Sequence, residues 1–254
     1  MSVERVNEIT SAILNEIYSP HDSTGNIAFS ALNLYVLLGA INFGLKGKCY
    51  RQLGDLLGER FEGLFFDTWR SSKTAQKWFY LQKLSEQLST SNSAIFHSCH
   101  LYDRYKLIST IIFDLYKIYI NFENKVRSSR QMNEWIYQLT NGSTGKIFSI
   151  DMMSEYNIIL FNALSFQVDW RTNFQSESTE TELFYDDQGQ SLTVAMMNQR
   201  SYNRVYDLSY RNFSILFKPL NQQGLYSAII LPNEGYTIAD VLPSLEVFSQ
   251  IYSV

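Results

Sequence analysis

The sequence predicts an α+β fold with more than one β-sheet. Apolar residues recur at steps of three and four through the first 57 residues, which is the period of amphipathic helices. The run 158–161 is continuously apolar, as in a strand that is covered on both faces. From residue 193 onward, short apolar stretches are separated by polar turns. Helices and strands that do not alternate regularly favour this class over a doubly wound α/β fold.

Three helices are predicted in the first third of the chain. The first ends before Pro20, because proline does not continue a helix. Residues 26–30 are interpreted as a short buried strand, and the hydroxyl of Ser30 is expected to cap the second helix. The third helix covers residues 48–57 and ends at Gly58. This part of the fold is therefore mainly helical.

The middle of the chain combines helices and strands. Helices are indicated by apolar residues at helical spacing, and strands by short apolar runs between turn residues. The predicted order is a helix over 78–88, a polar break over 89–93, a strand over 94–102, a helix over 107–115, a strand over 118–122 and a helix over 132–139.

The second half is predicted to be mainly β. A strand over 156–166 is expected at the centre of a mixed sheet, with the strand 94–102 beside it and the helix 132–139 across one face. The stretches 213–217 and 225–231 are expected to pair as a hairpin. Further strands are predicted over 193–197 and 202–206.

Composition and charge exclude several classes of function. Of the 254 residues, 45% are apolar, which is enough for one sizeable core. The formal net charge is −4, and no dense basic cluster would neutralise a phosphate backbone, so nucleic acid is not expected as a partner. No apolar stretch has the length of a membrane span or of a signal peptide. Cys49 and Cys99 do not make a disulfide framework.

No catalytic, metal or cofactor site is predicted. On a strand, Cys99 and His100 point to opposite faces and are not placed to form a nucleophile–base pair. His97 and Cys99 together supply only two metal ligands. Asp186 and Asp187 are interpreted as a polar turn and not as paired catalytic carboxylates. Two glycosylation sequons occur, at Asn141 and at Asn212, and the second opens a predicted buried strand.

Three groups of segments follow one another in a recognisable order. The first is NIAFS (26–30), GLKG (44–47) and LLG (56–58); the second is MNEWI (132–136), TNG (140–142) and KI (146–147); the third is LFNALSF (160–166), Trp170, Phe174, MM (196–197) and AIILP (228–232). Together they resemble signatures of the serpin family, the serine protease inhibitors, over essentially the whole chain.

The resemblance implies a serpin-like fold with N-terminal helices, a large mixed sheet and a partial second sheet, as a single domain over residues 1–254. It also implies a serine-type endopeptidase inhibitor, in which a cleaved reactive loop inserts as a new strand into the main sheet. No segment of this chain resembles that loop or the last strands of the family. The sequence is therefore interpreted as a serpin domain truncated at its C-terminus and non-inhibitory as given.

The resemblance also assigns four residues to two control regions of the main sheet. Asn162 and Trp170 correspond to the breach, where the loop first enters, and Ser30 and Asn33 to the shutter. Ala31 and Asn33 depart from the proline and serine that the family usually has there. Structural roles stay open beside these assignments: Trp170 as a core aromatic, Asn162 as a partner of strand backbone groups, and Ser30 as a helix cap.

Three functional hypotheses follow. A serine-protease inhibitor family member, with a serine or cysteine protease as partner, explains every motif. A non-inhibitory serpin-like binding or structural protein is the alternative, and an enzyme would need catalytic groups that the sequence does not display. The family implies an extracellular location, while a cytoplasmic one stays open because no signal peptide is visible.

Self-association through exposed strand edges is also expected, because the elements that cover the hairpin in the complete family fold are not found in this sequence. The side chains expected to be partly uncovered are Phe213, Ile215, Phe217, Ile229 and Leu231.

Overall fold

The computed structural model describes residues 3–17, 28–153, 158–186, 189–207 and 212–243. The chain divides into two compact units, which are described separately: Met1–Val6 with Asn26–Phe166, and Asn7–Gly25 with Gln167–Val254. The predicted helix end at Pro20, residues 26–27 and 156–157 of two predicted strands, and Asp187 lie outside the described residues. The predicted buried strand over 26–30 is wrong for its described part, since residues 28–30 form no strand and Ala28 is exposed.

The helices begin and end at the residue types that favour their termini. The hydroxyl of Ser30 accepts a hydrogen bond from the backbone nitrogen of Asn33 at 3.3 Å, so Ser30 caps its helix as predicted. Ser72 and Asn124 cap two later helices in the same way. Gly58 ends another with a φ of 62°, a conformation that favours glycine. The helices are α1 (Val3–Ile17), α2 (Ala31–Gly44), α3 (Gly47–Leu57), α4 (Lys73–Leu88), α5 (Asp103–Phe113) and α6 (Lys125–Leu139).

None of the described helices is both long enough and apolar enough to cross a bilayer. Two 3₁₀ helices, Glu62–Phe65 and Trp69–Ser71, precede α4 and were not predicted, because their few residues carry no periodic pattern.

A three-stranded mixed sheet lies in the first unit. It contains β1 (Thr90–His97), β2 (Leu115–Tyr119) and β3 (Ile158–Ser165), in the order β2-β1-β3. β1 and β2 run parallel, whereas β1 and β3 run antiparallel. The prediction that the strands near 94–102 and 156–166 are neighbours in one mixed sheet is confirmed.

The predicted central position of the strand over 156–166 is wrong, because β3 pairs only with β1 among the described residues. β1 is the central strand, and its residues 93–97 are all buried. The apolar run of β3 is also less covered than predicted, since none of its residues is buried and Ile158 and Leu164 are exposed. β1 also starts at Thr90, inside the predicted break, because pairing with β3 begins there, and it ends at His97 because α5 soon follows.

Helix α6 packs across one face of this sheet, as predicted. Every second residue of a strand points to the same face, and here Ala94 and Phe96 of β1 meet Met132 and Ile136 of α6. The buried members of this cluster are Ala94, Phe96, Ile120, Phe122, Met132, Ile136, Phe148 and Met153, with Ile159 and Phe161 of β3 packed against it.

An aromatic stack fixes the distance between α2 and α4. The rings of Tyr35 and Trp78 are parallel within 4°, with centroids 5.2 Å apart. The hydroxyl of Tyr35 donates a hydrogen bond to the carbonyl of Leu57 at 2.8 Å. One turn further along α2, a Cβ atom added to Gly39 would lie 2.4 Å from Trp78 Cη2. Glycine at this position therefore lets the indole ring lie against the backbone of α2.

We predict that Gly39→Ala destabilises the protein although alanine is the better helix former. The helix propensity favours alanine by about 1 kcal/mol, but Trp78 is fully buried and cannot move aside. Overpacking should lower the free energy of unfolding by about 1–3 kcal/mol in urea titrations.

The matched control is Gly145→Ala, since an added Cβ there would have no neighbour within 4 Å. A change within about 0.5 kcal/mol is expected for the control. Equal stability of the two variants would contradict the close approach of Trp78 to α2.

The second unit is built mainly of antiparallel strands. One sheet has the order β6-β7-β8 and another the order β4-β5, and β7 with β8 confirms the predicted hairpin. β4 was not predicted, because all of its residues are exposed and carry no apolar alternation. The strands are β4 (Thr179–Tyr185), β5 (Ser191–Met197), β6 (Arg204–Asp207), β7 (Phe213–Pro219) and β8 (Tyr226–Pro232).

The expected exposure of the hairpin is only partly correct. Phe213 and Ile215 of β7 are buried, because Val241 from the helical residues 238–243 packs over them. On β8, Ile229 and Leu231 remain 45% and 66% exposed. Within this hairpin, the most exposed apolar side chains therefore lie on β8.

Candidate functional site

A polar cluster, the shutter-like group, lies in the first unit and consists of Asn33, Ser85, Ser91, Ser93 and Asn162. Asn33 lies in the first turn of α2 and Ser85 near the end of α4, and both are buried. The hydroxyl of Ser85 donates a hydrogen bond to Asn33 Oδ1 at 2.8 Å. This bond links two helices through polar side chains.

The second part of the group links two strands. Asn162 of β3 lies directly opposite Ser93 of β1. Its Nδ2 donates to Ser93 Oγ at 2.9 Å and to Ser91 Oγ at 3.0 Å. Ser91, Ser93 and Asn162 therefore lie on the sheet face opposite to α6, because they alternate with the residues that pack on that helix.

A small cavity of about 40 Å³ lies between the two hydrogen-bonded sets, lined by Asn33 and Ser85 on one side and by Ser91 and Ser93 on the other. Within the described residues, no hydrogen bond joins the helix pair to the strand set. The buried Asn33 Nδ2 has no partner there. The helices and the sheet therefore face each other across polar side chains. The hydrogen bonds of these side chains run between the two helices, which form one layer, or between the two strands, which form the other.

The structure brings together predicted and unpredicted residues. Asn162, which the resemblance assigned to the breach together with Trp170, donates hydrogen bonds to Ser91 and Ser93 of β1, and the cavity of about 40 Å³ lies between these serines and Asn33. Ser30 serves as the cap of α2 and lies next to this group along the chain. Three serines of the group were not predicted. Ser91 and Ser93 fell in the polar break that was predicted between a helix and a strand. Ser85 is a polar residue on the buried side of α4.

A second cluster, the breach-like group, lies in the second unit and consists of Trp170, Phe174, Gln199 and Lys218. The Lys218 ammonium lies 5.2 Å from the ring centroid of Trp170 and 4.6 Å from that of Phe174. It also donates a hydrogen bond to Gln199 Oε1. Trp170 is held by a backbone bridge to Leu220, directly after β7.

Lys218 is unusual because it is 4% exposed and, among the described residues, has no carboxylate within salt-bridge distance. Two aromatic faces and one amide oxygen offset the loss of water around its charge. Gln199 is itself held in place, since its Nε2 donates to the carbonyls of Thr172 and Asn173 at 3.1 and 2.9 Å. The group is therefore a buried cation held between two aromatic rings and an amide oxygen.

The residues considered for catalysis make local contacts. A ring nitrogen of His97 lies 2.9 Å from the carbonyl oxygen of Cys99. The carboxylate of Asp186 accepts a hydrogen bond from the backbone nitrogen of Gln190 at 2.7 Å, as in a polar turn. Across the described residues, no three His, Cys, Asp or Glu side chains come together as metal ligands would.

The two sequons differ in the accessibility of the acceptor nitrogen. Asn141 is exposed just after α6, with a φ of 48°. Asn212 is half-buried, and its Nδ2 donates a hydrogen bond to the carbonyl of Asp240 at 2.7 Å. The oligosaccharide is transferred to this side-chain nitrogen, so the structure favours Asn141 as the acceptor.

Comparison with known proteins agrees with this architecture. The family model "Serpin (serine protease inhibitor)" matches residues 4–252. The chain belongs to the serpin family. Its fold is also that of Serpin48 from the insect Tenebrio molitor, with a TM-score of 0.82 at 17% identity over 97% of this chain and 67% of that one.

Curated serpins match along most of the sequence. Iripin-1 from Ixodes ricinus is 27% identical over 97% of this chain, and mouse neuroserpin (Mus musculus) is 24% identical over 85% of it. The chain spans 64% and 52% of the length of these two relatives.

Proposed function

We propose that this serpin chain is the strand-accepting part of a serine protease inhibitor and not an enzyme. The observation that carries the proposal is the position of β3, which pairs with β1 on one edge and with no strand of the described residues on the other. An edge strand offers a row of backbone donors and acceptors to an added strand. In a serpin, the cleaved reactive loop is such a strand.

The shutter-like group supports movement of the sheet during insertion. Its hydrogen bonds run from helix to helix, between Asn33 and Ser85, or from strand to strand, between Asn162 and the serines of β1. The sheet can therefore shift over α2 and α4 without breaking any of them. We assign Asn33 and Asn162 to this control, with Ser30 fixing the start of α2.

For Trp170 we propose the breach role that the family resemblance implies. Its ring forms one wall around the Lys218 ammonium, and this buried cation would attract a carboxylate or a backbone carbonyl of an entering segment. The 254-residue polypeptide itself contains no segment that resembles a reactive loop. We therefore expect it to form no covalent complex with serine or cysteine proteases on its own.

The proposed function predicts that a reactive-loop peptide from a serpin relative binds to the edge of β3. Binding to the folded state alone stabilises it by RT ln(1 + [L]/Kd), about 2.7 kcal/mol at one hundred times Kd. The melting temperature should rise with the native peptide, and hydrogen–deuterium exchange should slow at β3 but not at β8. A scrambled peptide is the ligand control.

A matched pair of variants tests the role of Asn162. Asn162→Ala removes the donor to Ser91 and Ser93 and should lower the free energy of unfolding by about 1–3 kcal/mol. Asn203→Ala removes an exposed hydrogen bond of 2.8 Å between the Asn203 amide and a serine and should change the free energy of unfolding by less than about 0.5 kcal/mol.

In the peptide experiment, stabilisation by both the native and the scrambled peptide would refute the proposed insertion. Protection of β8 in place of β3 would also refute it.

We also propose an extracellular location, which the exposed sequon supports. In cells that secrete the protein, a glycan should be attached to Asn141 and not to Asn212, whose Nδ2 is already bonded. Peptide mapping after enzymatic deglycosylation would show the modified asparagine, and Asn141→Gln should remove the mass shift. Protein from its own cells without any N-glycan would favour the cytoplasmic alternative.

The exposed strand β8 predicts self-association of the purified chain. Leu231 is 66% exposed on this strand, and an apolar edge strand favours pairing with a second copy. Leu231→Lys should reduce dimers and larger species in sedimentation experiments, together with the binding of a hydrophobic dye. The control is Tyr202→Lys, which alters a fully exposed aromatic outside the strands. Equal association of both variants would exclude β8 as the interface.

A further inference from the structure

The first unit contains a second cavity, which the proposed strand insertion does not use. Its volume is about 490 Å³, within the range of small-molecule sites. It lies among the end of α2, the start of α5 and the sheet face opposite to α6. Its deep wall is apolar and includes Phe43, Ile95, Leu101 and Leu160. The first three of these side chains are buried.

An exposed cation, Lys46, is among the residues that line the cavity. Lys46 lies between α2 and α3, and its ammonium is 5.2 Å from the ring centroid of Tyr102. Within the described residues it has no carboxylate at salt-bridge distance. Arg104, which also lines the cavity, is by contrast paired with Asp67 at 3.3 Å. One uncompensated positive charge is therefore available in the lining.

Tyr105 adds a second polar group to the lining. Its hydroxyl makes no hydrogen bond to any described residue. Burial raises the pKa of Tyr105 to about 12, so the phenol remains a neutral donor under ordinary conditions. A carboxylate can accept from this hydroxyl and from Lys46, because it carries two oxygen atoms and several lone pairs.

We propose that this cavity binds a long-chain carboxylate, with the apolar chain along Phe43, Ile95 and Leu160 and the carboxylate at Lys46 and Tyr105. A single unpaired cation matches a single negative charge, whereas a phosphate dianion would need further donors. The apolar wall supplies most of the contact and the two polar groups fix the orientation.

Cys99 gives a direct test of occupancy, since it lines the same cavity and is half-buried. The other free thiol, Cys49, is exposed and does not line it. In the Cys49→Ser protein, oleate at ten times its Kd should slow modification of Cys99 by a thiol reagent about tenfold, because the open fraction falls as 1/(1 + [L]/Kd). In Cys99→Ser, modification of Cys49 should not change.

Variants of the 254-residue chain distinguish the contribution of the Lys46 charge from that of the cavity shape. The Kd of each variant is measured by calorimetry below the micellar concentration of oleate. Lys46→Gln should raise the Kd for oleate about tenfold and leave the Kd for oleyl alcohol unchanged. Lys48→Gln, which removes the same charge at an exposed position off the cavity, is the control. Leu160→Trp should fill the cavity and weaken both ligands.

Several outcomes would overturn the assignment. They are the absence of saturable oleate binding, binding that leaves Cys99 unprotected, and an equal loss of affinity in Lys46→Gln and Lys48→Gln. If Leu160→Trp does not fold, the protection of Cys99 and the comparison of the two lysines still decide the question.

Discussion

The register of β1 against β3 is the constraint on which the first unit depends. Opposed pairs such as Ser93 with Asn162 and Ile95 with Leu160 send polar and apolar side chains to one face, while Phe96 and Phe161 turn to α6. A slip of one residue would exchange the two faces. It would place the serines in the apolar cluster beneath α6 and separate Asn162 from both of its acceptors. The register therefore positions helix α6, the shutter-like group and the cavity lined by Ile95 and Leu160.

The fold class and most elements were predictable from the sequence because residues that become buried recur along it at the period of a helix or a strand. The apolar spacing of α6 and the hairpin of β7 with β8 were predicted correctly for this reason. Strand order was not predictable in the same way. The apolar run of β3 predicted full cover and two neighbours, whereas its residues are half-buried or exposed and it has one neighbouring strand among the described residues. The residues near Thr90 misled the prediction because serine and asparagine favour turns in general, whereas here they pair across two strands.

The candidate site was only partly predictable, since its members are distant in sequence. Asn33 and Asn162 followed from the family resemblance, but the hydrogen bonds that group them with Ser85 and Ser93 depend on packing. Lys218 was missed because the predicted strand ended at Phe217, which left Lys218 at the start of a loop, whereas β7 continues to Pro219. Its burial between Trp170 and Phe174 is a tertiary effect. A polar residue on an otherwise buried helix face, as with Ser85, is the local signal that would have found one of these positions.

The chemistry of the shutter-like group suits a layer that shifts. Replacing it with apolar side chains would interlock the sheet with α2 and α4, and each such side chain would contribute about 1.5–3 kcal/mol that depends on close fit. Serine and asparagine contribute only about 0.5–1.5 kcal/mol per hydrogen bond, and here each bond stays within one layer. The boundary between the layers is thus held by the surrounding apolar core, while the cavity between Asn33 and Ser93 keeps their facing surfaces from interdigitating. Under the proposed function, this arrangement stabilises the sheet before insertion and lets it slide over α2 and α4 during insertion.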